Sequence, residues 1–79
     1  MAKRVVKLTF VGESVKKPLT FEMAKKFDIM PNIRRAKVTE TTGELVLELE
    51  GEERDLDKGI EFLRKEGVIV ESLVGDVIE

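Results

Sequence analysis

Asparagine occurs once in this chain and glutamine not at all, so Asn32 holds the sole side-chain carboxamide. It stands in the run Phe27-Asp28-Ile29-Met30-Pro31-Asn32-Ile33-Arg34. A carboxamide offers donors and an acceptor together, so it can meet a polar group of either kind. Among its neighbours Ile33 is apolar, Met30 carries a thioether, and Arg34 ends in a planar fork that can grip a carboxylate. Each also has a plainer reading. Asn32 can simply turn the chain after Pro31, Met30 can plug a helix end, and Arg34 at a sheet rim can run out into water.

The other reactive possibilities are poorer. Cysteine and histidine are both absent, which removes disulfides, thiol chemistry, the usual zinc sites and imidazole acid-base work together. The six glycines are dispersed singly, so no cradle for phosphate forms before a helix. Glu52, Glu53, Asp55 and Asp57 cluster where a helix should begin, and free N-H groups stabilise acids there, so they read as a solvated helix start. No catalytic residue, metal or cofactor is expected, and the chain reads as a binder rather than an enzyme. Lys16-Lys17, Lys25-Lys26 and Arg34-Arg35 raise the question of RNA. A sheet that stacks bases needs aromatic residues on its open face, however, and Tyr and Trp are absent while Phe10 falls on the inward face. A net charge of -2 with interleaved signs also argues against nucleic acid. No apolar run approaches the roughly 20 residues that span a bilayer, and no signal peptide is visible, so a cytoplasmic location without membrane insertion is expected. Abundant Lys and Glu with a single amide resemble the composition of heat-adapted proteins.

These residues need elements to position them. At 42% hydrophobic and 38% charged, the chain can fill a core and still present a solvated exterior, and residues 1–79 read as a single domain. Alternation from Lys3 to Val11 predicts a strand with Val6, Leu8 and Phe10 inward. Pro18 opens a first helix whose stripe is Leu19, Met23 and Phe27, with Ala24 beside it, ending near Asp28 because Pro31 disfavours helical geometry before it. A second strand is expected from Ile33 to Thr41, with Ala36 and Val38 inward and Ile33, Arg35 and Lys37 outward. Thr42-Gly43 reads as a hairpin turn, and Glu44 to Glu50 as a third strand with Leu45, Leu47 and Leu49 inward. Gly51 to Glu53 opens a second helix carrying Leu56, Ile60 and Leu63, and Gly67 caps its end. Gly59 within it suggests a close backbone approach to the sheet. Val68 to Leu73 is the fourth strand, and Gly75 to Glu79 a short tail.

The order βαββαβ defines an α+β, ferredoxin-like sandwich: a four-stranded antiparallel sheet in the order 4-1-3-2, with two helices on one face. The other face is left bare. Val5, Ile33, Val46 and Ile69 are expected there among charges, either as scattered strand formers on a solvated sheet or as a contiguous apolar patch of the kind that marks a homodimer or partner interface.

Taken together, Val6, Leu8 and Phe10, Pro18, Phe27, Asn32-Ile33, Ala36 and Val38, Gly43-Glu44-Leu45 to Gly51, and Gly67-Val68 resemble the NIL domain family. The likeness runs from about Arg4 to Leu73. The family is a ferredoxin-like, ACT-like regulatory module found at the C-terminus of methionine-importer ATPases and, elsewhere, joined to a ferredoxin. The resemblance implies a homodimer that binds methionine or a related sulfur amino acid near its interface, with Asn32 supplying the amide contact and Ile33 part of the wall. It also implies a protein partner in sulfur metabolism or methionine transport. A module that docks on such a partner without binding a ligand is the competing reading. The family's naming run is Asn-Ile-Leu, and here Arg34 stands at the last position.

Overall fold

Val6, Leu8 and Phe10 are 0%, 0% and 7% exposed along β1 (Ala2–Val11), while Val5, Lys7 and Thr9 between them face the other way and are half-buried. A 3-10 turn, Gly12–Lys16, follows; strand alternation gave no sign of it. Gly12 starts it at φ +61°. Buried Ser14 holds it, its Oγ donating to the Val11 carbonyl at 2.7 Å and accepting from the Val11 N-H at 3.0 Å. Pro18 then caps α1 (Leu19–Phe27), which buries Leu19 and Met23 as its stripe requires. Asp28 ends that helix in the left-handed region at φ 56°, and the Ile29 N-H bonds the Ala24 carbonyl at 3.0 Å.

This structure, a computed structural model, describes residues 1–73; the expected tail from Gly75 to Glu79 lies outside the described residues. β2 (Met30–Val38) begins three residues before the expected start at Ile33, because the Asp28 turn leaves the chain extended at once. Pro31 is tolerated within it because β2 is an edge strand and needs ladder bonds on one side only. The hairpin turn is Thr39–Thr41 rather than Thr42-Gly43. Thr39 Oγ1 accepts from the N-H groups of Thr41 at 3.3 Å and Thr42 at 3.0 Å, so a threonine hydroxyl does what a positive-φ glycine was expected to do. Gly43 lies instead within β3 (Thr42–Gly51), paired with Phe10 and Val38.

α2 (Glu53–Lys65) ends as expected at Gly67, φ +93°. The Gly67 N-H bonds Arg64 O and the Val68 N-H bonds Leu63 O, both at 3.0 Å, a Schellman closure sealed by buried Val68. Gly51 belongs to β3 rather than to the helix start. Gly59 faces α1, not the sheet: a Cβ there would lie 2.5 Å from Ile29 Cδ1 and 3.1 Å from Met23 Cγ. With β4 (Ile69–Leu73) the sheet runs β2-β3-β1-β4 with every neighbouring pair antiparallel, the expected ferredoxin-like arrangement.

Candidate ligand-binding edge

Where β2 pairs with β3, the register slips. Met30 lies opposite Glu50, Asn32 opposite Glu48 and Ile33 opposite Leu47, but Arg35, not Arg34, comes next, opposite Val46. Arg34 is the extra residue of a bulge, unpaired in the ladder. Side chains directly opposite share a face, so the open face reads in rows across the sheet. One row is Lys37, Glu44, Thr9 and Ile69; the next Arg35, Val46, Lys7 and Glu71; the third Asn32, Glu48, Val5 and Leu73. Lys7 stands directly across from Glu71, with Glu48 diagonal to it.

The four residues named around the Asn32 motif are therefore split. Asn32 and Met30 are exposed on the open face. Met30 is 64% exposed, so it does not plug the helix end; Ile29, 4% exposed, fills that place. Ile33 faces the helix side, in register with buried Leu47, and is still 59% exposed because β2 lies at the sheet edge. Within one chain it forms no wall beside Asn32. The bare apolar patch changes accordingly: Ile33 leaves it, and Val46 is only 9% exposed between the long side chains of Lys7 and Arg35, so only Val5 and Ile69 remain there of the four. Asn32 is not a turn residue, because it sits inside a strand, and its carboxamide has no hydrogen-bond partner among the described residues.

Arg35 is the neighbour that strict alternation could not supply. The bulge makes it the next open-face residue after Asn32. At the far end of β2, Val38 lines a pocket of about 160 Å³ together with Phe10, Val15, Leu19, Phe21 and Leu45, with Lys17 also on its lining. That volume resembles cavities of about 150 Å³ that accept a benzene-sized guest.

Two other clusters are accounted for locally. Arg4 reaches from β1 to Glu53 at 2.6 Å and Asp57 at 2.7 Å, which ties half of the acidic cluster to the sheet, and these bonds raise the Arg4 pKa further. On the helical layer Phe27 and Phe62 meet edge to face at 5.8 Å, with Lys26 over both rings, so Phe27 is only partly buried at the end of its stripe. Among the described residues no group of His, Cys, Asp and Glu is placed to hold a metal ion, and no helix is long and apolar enough to cross a membrane.

An open-faced split βαβ sheet with a bulged edge strand defines a small ferredoxin-like domain. A family model for the NIL domain matches residues 4–72, and the chain belongs to that family. It is 35% identical over 71 residues to methionine import ATP-binding protein MetN 1 of a Bacillus cereus strain, covering 85% of this chain and 20% of the relative. MetN of Bacillus subtilis is 35% identical over 72 residues, with 86% and 21% covered. The chain thus spans about one fifth of the length of the curated relatives it matches. Among solved structures, the C-terminal domain of an ABC transporter / ATP-binding protein from Enterococcus faecalis superposes with a TM-score of 0.82 at 27% identity, covering 92% of this chain and 86% of that one. A de novo designed protein, Foldit4, shares the fold at a TM-score of 0.55 and 14% identity, covering 91% and 94%.

Proposed function

We propose that this chain is a regulatory domain that binds methionine or a related sulfur amino acid as a homodimer joined through β2. The observation that carries this reading is Asn32, a carboxamide without a hydrogen-bond partner among the described residues, on an exposed edge strand. The outer rim of β2 leaves backbone groups unpaired, the template on which a second strand adds. An antiparallel two-fold pairing sets the start of one β2 beside the end of the other. Asn32 of one copy then stands on the open face of the seam, near the end of the other copy's β2, while the apolar pocket lies on the helix side of that same end. Ile33, on the helix side at the same edge, belongs to that seam. The names of the relatives, methionine import ATP-binding proteins, support the ligand class and suggest an importer ATPase or another protein of sulfur metabolism as the partner that is regulated.

Thermal melting with methionine, homocysteine and cysteine tests this. Ligand at a hundred times its Kd is expected to stabilise the folded dimer by about 2.7 kcal/mol. Asn32→Ala should abolish that shift and leave the ligand-free midpoint unchanged, because the side chain makes no hydrogen bond among the described residues. A folded wild-type protein that ignores all three amino acids refutes the reading.

A further inference from the structure

The strand that carries Asn32 holds Arg34, Arg35 and Lys37 and no carboxylate anywhere from Met30 to Val38. Lys37 lies opposite Glu44, but Arg35 lies opposite Val46 and Arg34 opposite nothing. Among the described residues neither arginine has an ion-pair partner. The bulge produces both results: it moves Arg35 beside Asn32 on the open face and puts Arg34 outside the ladder at the same point of the free edge. Successive same-face positions on a strand are about 7 Å apart, within reach of two ends of one short, bifunctional molecule.

A neutral zwitterion held by Asn32 leaves these guanidinium groups with only the diagonal carboxylates Glu44 and Glu48 on the open face, neither within ion-pair distance, and a strand seam between two copies doubles their number. Bringing such charges together and out of water without a counter-ion is unfavourable. We infer that the preferred ligand is a net anionic amino acid, its short side chain ending in a sulfonate or carboxylate. Asn32 takes its α-ammonium and α-carboxylate, and Arg35 with Arg34 takes the distal acid as charge-assisted, forked hydrogen bonds. This rests on reading Asn32 as a ligand contact. The same cations would also serve as guards that keep an edge strand from pairing, and the variants below separate the two roles.

Calorimetric titration with L-methionine, L-homocysteate and L-glutamate is the test. Homocysteate keeps the chain length of methionine and ends in a sulfonate. At low salt it is expected to bind at least about tenfold tighter than methionine, since charge-assisted bonds are about twice as strong as neutral ones, and the preference should shrink in high salt. Arg34→Leu and Arg35→Leu should each erase most of that preference, and Arg35→Lys should retain part of it. Methionine binding as well as or better than homocysteate in the wild type overturns the inference and leaves the Asn32 reading intact. So does a pair of leucine variants that increase self-association in sedimentation without altering the ratio, which would make the arginines edge guards. Silence toward every amino acid defeats both readings.

Discussion

Replacing Gly59 with alanine is expected to lower the stability of this domain, although the same change in an exposed helix would raise it by up to about 1 kcal/mol. The new Cβ would stand 2.5 Å from Ile29 Cδ1 and 3.1 Å from Met23 Cγ. Both residues are buried, at 4% and 0% exposure, within one packed cluster, so neither can swing into solvent. Overpacking of this kind costs about 1–3 kcal/mol, enough to outweigh the gain in propensity. Gly59→Val adds branching against the same two atoms and should cost about 3 kcal/mol or more. Urea denaturation with an unchanged m-value is the measurement, and an alanine variant as stable as the wild type would show that α1 and α2 separate easily.

Leu47→Ala should come close to unfolding the domain. Leu47 is 0% exposed on a central strand, with Val6 opposite it on one side and Ile33 on the other. Truncation of such a leucine removes about 2–5 kcal/mol, against a total stability of the order of 5 kcal/mol for a chain this short. The adjacent Val46 gives the control: it is 9% exposed but faces the open side under Lys7 and Arg35, so Val46→Ala should cost about 1 kcal/mol. Equal losses at the two positions would contradict the assignment of faces.

Most of the architecture is legible because each element repeats its period. Leu45, Leu47 and Leu49 alternate without interruption, and β3 faces as that alternation requires. Leu56, Ile60 and Leu63 recur at helical spacing, and all are buried. Turns are harder to read. The Thr39 hydroxyl closes a hairpin that glycine chemistry places three residues later, since a side-chain acceptor leaves no signature as sharp as positive φ. The site is legible in identity but not in direction. Asn32, Ile33 and Arg34 are neighbours along the chain, yet a bulge sends Ile33 to one face and Asn32 with Arg35 to the other. The signal is present: the inward residues of β2 are Ile33, Ala36 and Val38, spaced by three and then by two. A strand that keeps one face apolar at that spacing must hold one residue too many. The two guanidinium groups in tandem obscure this count, because either arginine satisfies a polar, outward position equally well.

The surplus residue at position 34 makes chain length, and not only side-chain identity, part of how this edge is specified. Removing Arg34 alone would make the ladder regular, because Ile33 and Arg35 already hold adjacent register positions, and would leave the carboxamide on the open side and its isoleucine neighbour on the helical one. A variant that loses that single spacer would keep both faces and lose only the kink and the unpaired guanidinium, whereas a one-residue change in the regularly paired stretches on either side would turn the residues beyond it over, so this strand should tolerate length change at one point and resist it elsewhere despite its full exposure to solvent.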